Sequence, residues 1–288
     1  MAISFVVVFA FMAMLFWGFG DFFIQKSVKK IGSLESLAWI GLIGSVGLFP
    51  LVIKDLHLLQ NFTNLILIVG LGIISFISVI FGFRALKEGK LSVVDVIIEA
   101  ELPITIALGF IFLKESLTMT QMIIILFILL GIVLTAIKSF SHFKSRIEKG
   151  VILAFIAAIF FGGTNIMVGV SSKLISPIMA IWGSWVFFTL ISIIFIISKK
   201  GFKKFLVHGS GNKKLIIATG IIDTLAWVFY ALAVSKSEIS LITAITESYP
   251  ALALFLGVFF NNEKIMFHQY AGAFIAIVCS VLLSLTII

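Results

Sequence analysis

Leu15-Phe16-Trp17-Gly18-Phe19-Gly20-Asp21, inside the first apolar run, is answered by Ile159-Phe160-Phe161-Gly162-Gly163-Thr164-Asn165 in the second half of this 288-residue chain. The echo continues beyond that segment. Phe81-x-x-x-Ala85 with Leu91-Ser92 matches Phe229-x-x-x-Ala233 with Ile239-Ser240, and Pro103 followed by Lys114-Glu115 matches Pro250 followed by Asn262-Glu263. The offsets run from 144 to 148, so the repeat is about half the chain. The expected units are residues 1–138 and 150–288, joined by a polar linker at 139–149.

The chain is 61% hydrophobic and 12% charged, with a mean hydropathy of +1.25, more apolar than a water-soluble domain of this size. A spanning helix needs about 20 mostly apolar residues. That criterion predicts ten, at about 3–24, 36–53, 64–86, 91–113, 119–138, 150–171, 178–198, 214–235, 239–260 and 266–287. Met1–Phe19 has no basic leader or cleavage site and reads as a retained first helix. The fold class predicted is an all-α integral membrane protein, ten transmembrane helices in two five-helix repeats. An odd number of crossings inverts the second repeat, and inverted repeats build alternating-access sites at their interface.

Of the 21 Lys and Arg residues, 17 fall in the odd-numbered loops and 4 in the even-numbered ones. The positive-inside rule then puts the odd loops in the cytoplasm and both termini outside, in the plasma (inner) membrane. The net charge of +8 reflects these loops and their attraction to lipid headgroups, not a nucleic-acid surface. The loops are too short for a nucleotide-hydrolysing domain. A lone cysteine, Cys279, and four dispersed histidines argue against a disulfide, a metal site or a bound cofactor.

Six carboxylates lie within apolar runs: Asp21, Asp95, Glu99, Glu101, Asp223 and Glu247. At about 2.5–3.5 kcal/mol each, six lipid-facing carboxylates at the bilayer centre would cost on the order of 15 kcal/mol. They must face one another, polar backbone or water.

Asp95 and Glu99 are four residues apart and share a helical face, with Glu99 about 12 Å from Leu91 and so near the midplane. Such a pair suits proton coupling or a cationic ligand; the alternative is a structural ion pair with Arg84. Glu247 stands three residues before Pro250, with Thr243 close by. Pro103 and Pro250 each free a backbone carbonyl one turn earlier and support a helix break beside these acids. Asp223, Trp227 and Tyr230 share one face of the eighth run, suited to holding a cation, or equally to an aromatic anchor with a helix–helix hydrogen bond. Asn165 is a deep hydrogen-bonding candidate, whereas Asp21 is near a helix end. Glu101 points about 200° from Glu99 and reads as an inter-helix residue. Glu115 and Glu263, at helix junctions, read as structural acids near a following helix N-terminus. Trp39, Trp182 and Trp185 read as interface-belt residues.

Trp17-Gly18 and Phe161-Gly162, the Pro103-to-Glu115 and Pro250-to-Glu263 spacings, and the steps Thr118-Met119-Thr120-Gln121 and Met266-Phe267-His268-Gln269 leading to Gly131 and Gly272 together resemble the EamA-like branch of the drug/metabolite transporter superfamily. The resemblance implies secondary export of small metabolites, commonly amino acids and related solutes, without ATP. Such relatives are drawn with both termini in the cytoplasm, which the charge count here reverses.

The expected partners are a small-molecule substrate, protons as coupling ion and the lipid bilayer; the oligomeric state is left open. The leading reading is an exporter of cationic or zwitterionic solutes by alternating access. Uptake of a sugar or other neutral solute is the first alternative. A membrane enzyme or lipid-handling protein is the second, but it lacks a catalytic constellation.

Overall fold

The computed structural model describes residues 5–88, 97–137, 149–199, 201–252, 254 and 266–287. Every regular element among them is helical. The first half comprises α1 (Phe5–Ile31), α2 (Ser33–Val52), a short 3-10 turn (Leu56–Gln60), α3 (Phe62–Glu88), α4 (Glu101–Leu108) running into a π-turn (Gly109–Leu113), and α5 (Met119–Ala136). The second comprises α6 (Lys149–Leu174), α7 (Pro177–Ser198), α8 (Phe202–Gly211), α9 (Lys213–Val234), α10 (Ile239–Thr246) and α11 (Phe267–Ser284).

Among the described residues seven helices (α1, α2, α3, α6, α7, α9 and α11) are long and apolar enough to cross a membrane. Glu101–Leu113 and Met119–Thr135 are shorter apolar helices. Large apolar side chains such as Phe62, Ile111, Phe112, Leu126 and Ile194 are exposed, as lipid contact requires. The runs expected at 91–113 and 239–260 are not single straight helices. Residues 97–98 are helical, Glu99 and Ala100 form a turn, and α4 begins at Glu101. In the second half α10 ends at Thr246, Glu247 and Ser248 form a turn, and residues 249–252 are helical again.

The reason is local. Proline has no N–H to give to the carbonyl four residues back. At the first break the Glu99 carbonyl accepts instead from Leu102 N at 3.3 Å, and Ala100 N donates to Ile97 O at 3.1 Å. At the second, Ser248 N donates to Ile245 O at 3.2 Å and Ala251 N to Ser248 O at 3.1 Å. Tighter three-residue turns replace the α-helical ladder at both places.

The packing crosses between halves. α1 lies on α9, α3 on α6, α2 on α7, and α5 on α11, each pairing a first-half helix with a second-half one. The last pair is antiparallel, and its glutamines fix the register. Gln121 Oε1 accepts from Thr118 N at 2.9 Å, closing a capping box, while its Nε2 donates to Thr286 Oγ1 at 3.2 Å, just beyond the end of α11. Gln269 Oε1 likewise accepts from Met266 N at 3.0 Å and its Nε2 donates to Thr135 O at 3.0 Å in the last turn of α5. Gly131 and Gly272 meet at the crossing; a Cβ on Gly131 would lie 2.7 Å from Gly272 O and from Ala276 N. Only glycine permits that approach of two backbones.

Candidate functional site

Glycines of the first-quoted motifs explain how the broken segments are held. Gly18 on α1 abuts the second break: a Cβ there would come 3.1 Å from Leu252 Cβ and 3.5 Å from Tyr249 O. Gly162 on α6 abuts the first break, where a Cβ would come 2.7 Å from Ile104 Cγ2 and 3.2 Å from Thr105 N. Each half therefore presses a glycine onto the post-break turn of the other.

At the second break the polar groups are buried together. Every residue of α10 is buried, and so is Glu247, at 4% exposure. The hydroxyls of this segment are satisfied locally. Thr243 Oγ1 donates to Ile239 O at 2.7 Å, Thr246 Oγ1 to Thr243 O at 3.1 Å, and the Ser248 and Ser280 hydroxyls meet at 2.5 Å. Tyr230 Oη lies 2.8 Å from Thr243 Oγ1, joining α9 to α10 in the core. Because Thr243 Oγ1 already donates to Ile239 O, Tyr230 is the donor in this pair.

Around Tyr230 the rings form a wall. Trp17 lies 5.4 Å from Tyr230 and 5.1 Å, edge-on, from Trp227; Trp227 lies 5.8 Å from Tyr230 and 5.9 Å from Trp185. Trp185 Nε1 donates to Thr224 Oγ1 at 3.2 Å. The carboxylates of Glu247, Glu101 and Glu115 lie within electrostatic reach of the Tyr230 hydroxyl, Glu247 bearing on it most strongly. Asp223 is buried on the same helix as Trp227 and Tyr230. Anionic groups beside electron-rich ring faces suit a cationic group.

The first break has its own polar pair. Asn165 Nδ2 on α6 donates to Thr105 Oγ1 on α4 at 3.2 Å, both residues being buried. Glu99, at the turn itself, is 5% exposed.

Trp227, Tyr230, Thr243 and Glu247 are thus gathered at one place, Asn165 is placed on the opposing helix pair, and Asp95 lies outside the described residues, as do Asn262 and Glu263. Pro103 and Pro250 each stand just past a turn. The Asp21 side chain is likewise outside the description. Glu101, read as an inter-helix residue, is buried at the start of α4. Two sequence readings need correction. Trp185 is buried at 3% exposure inside the ring cluster, not in an interface belt, because it sits on the face of α7 that meets α9. Glu115 does not serve the helix that follows it. Its carboxylate accepts Ile239 N at 2.6 Å, Ser240 N at 3.1 Å and Ser240 Oγ at 2.6 Å, capping α10 of the other half. Trp17 belongs to the ring cluster as well; its only sequence signal was its position beside Gly18 in the repeated motif. No group of His, Cys, Asp and Glu suited to a metal ion occurs among the described residues.

Comparison with known proteins agrees with this architecture. A half-length relative, an uncharacterized protein of Methanocaldococcus jannaschii, is 33% identical over 141 residues, which is 97% of that protein and 46% of this chain. That relative is one repeat long. A crystal structure of a protein with 15% identity covers 99% of both chains at a TM-score of 0.76, which shows a shared fold. The sequence profile of the EamA-like transporter family matches twice, over residues 4–137 and 148–285. The chain belongs to the EamA-like transporter family, and it is a multi-pass membrane transporter.

Proposed function

We propose that this transporter exports small cationic or zwitterionic, amino-acid-like metabolites across the plasma membrane in exchange for protons. The observation that carries the reading is the burial of Glu247 and Glu101 beside the Tyr230–Thr243 hydroxyl pair and the Trp17–Trp227 rings. A carboxylate at membrane depth is expensive unless it binds a cation or a proton, so the two compete for it. The cargo's amine occupies the acid–aromatic corner in one state, and a proton neutralises the acid in the other.

The breaks at Glu99–Ala100 and Glu247–Ser248 interrupt the helical ladder beside buried acids within the apolar runs 91–113 and 239–260, the arrangement by which half-helices bind ions. Ten crossings, as two inverted five-helix repeats over 1–138 and 150–288 with a cytoplasmic linker at 139–149, then rock about that level. The charge bias places both termini outside.

The test is transport by the purified chain in vesicles with an imposed pH gradient, screened over amino acids and polyamines. Accumulation that collapses with the gradient and in Glu247→Gln supports the reading. Transport that ignores the gradient and favours neutral sugars would instead fit uptake of a neutral solute, for which the Trp17–Trp185–Trp227 wall is the supporting feature. A green fluorescent protein fused after Ile288 tests the topology: it stays dark if that end is extracytoplasmic.

A further inference from the structure

The ten residues of α8 fit neither a spanning helix nor a free loop. At about 1.5 Å per residue they cover about 15 Å, half a bilayer core. A helix so short does not hold in water by itself. One edge is accounted for: Phe205 is buried and stacks on Trp39 of α2 at 4.6 Å and 19°, and a Cβ on Gly209 would run into the Trp39 ring. Next to that edge, Phe202 and Leu206 are 44% and 49% exposed. They lie one turn apart, about 40° around the helix. Farther round come Lys203, Val207 and Lys204 in that order, all exposed.

We infer that α8 is an interfacial helix that binds anionic phospholipid headgroups of the leaflet it faces, through Lys203 and Lys204, with Phe202 and Leu206 inserted among the acyl chains. Charge supports that occupant over another protein. The segment 199–214 holds six lysines and no acid, and Lys29 and Lys30 end α1, which α8 also touches. Lysines flanking exposed apolar side chains on a short helix are the pattern of surface-bound helices. The seam with α2 also leaves Trp39 Nε1 buried with no hydrogen-bond partner among the described residues. That seam carries a desolvation cost. The Trp39–Phe205 stack joins α8 to α2, which packs on α7 and α9 of the other half.

Hydrogen exchange of residues 202–211 tests this on the full chain in nanodiscs. Exchange is expected to slow about tenfold when phosphatidylcholine is replaced by a phosphatidylcholine–phosphatidylglycerol mixture, and high salt should reverse part of the change. The double variant K203Q/K204Q should exchange alike in both lipids, whereas Lys54→Gln, on another loop, should behave as the parent. Equal exchange of the parent in the two lipids overturns the proposal. So does the same slowing in K203Q/K204Q, slowing by inorganic phosphate in phosphatidylcholine alone, or protection that tracks dimer formation in native mass spectrometry.

Discussion

Glu115 accepts the backbone N–H of Ile239 at 2.6 Å across 124 residues of sequence, and the same carboxylate takes both the N–H and the hydroxyl of Ser240. A residue at the end of the first half's broken segment thereby caps the first turn of the second half's. The carboxylate also complements the positive end of α10. The cap holds in place the helix that carries Thr243 and leads to Glu247, so it couples one face of the protein to the buried acids.

Glu115→Gln keeps the shape but removes the charge, and should cost about 1.5–3 kcal/mol of stability, against about 1 kcal/mol for Ser240→Ala. Thermal unfolding in detergent checks both. A double variant no worse than Glu115→Gln alone would show that the two act through one contact. A double variant whose loss is the full sum of the two single losses would contradict the cap.

Glu247→Gln should lower proton-driven transport by more than about tenfold while leaving yield and thermal stability near those of the parent, since a neutral amide fits the same space. Glu101→Gln should fall short of that but exceed a surface Glu→Gln change. Thr243→Val strands the Tyr230 hydroxyl and should cost about 1–3 kcal/mol in stability as well as activity. Initial rates in vesicles, beside unfolding curves, separate the two kinds of loss.

Pro250→Ala supplies the missing N–H and lets the helix run through Glu247–Ser248. Transport should fall several-fold although the protein becomes no less stable. If transport is unchanged, the break is not needed for the cycle.

Gly131→Ala forces a methyl against Gly272 O and Ala276 N, which belong to backbone and cannot swing away. Overpacking of about 1–3 kcal/mol is expected, read as a lower unfolding temperature and poorer yield. Gly47→Ala, with nothing within 4 Å of the new methyl and a place inside α2, should be neutral or stabilising by about 0.5–1 kcal/mol.

Much of the architecture is written in local signals. The long apolar runs, the echo of Trp17-Gly18 in Phe161-Gly162, and the two prolines followed by acids each depend on neighbours in sequence. Seven of the runs appear as helices able to span a membrane, with ends shifted by a few residues. Trp227, Tyr230 and Asp223 could be grouped because helical periodicity places them on one face. Trp185 was misjudged because a tryptophan within a span looks the same in sequence whether its face meets lipid or α9.

The sequence by itself determined that the chain is a two-repeat membrane protein with acids beside its prolines, because hydropathy, turn chemistry and repetition are read from adjacent residues. Only the tertiary structure decided that Glu115 caps α10, that Gly18 and Gly162 each clasp the opposite half's break, and that Trp17 and Trp185 close around Tyr230. Those relations join residues from different halves of the chain. They follow from which helix faces meet once the membrane no longer distinguishes one apolar surface from another, so small residues and buried hydrogen bonds select the partners.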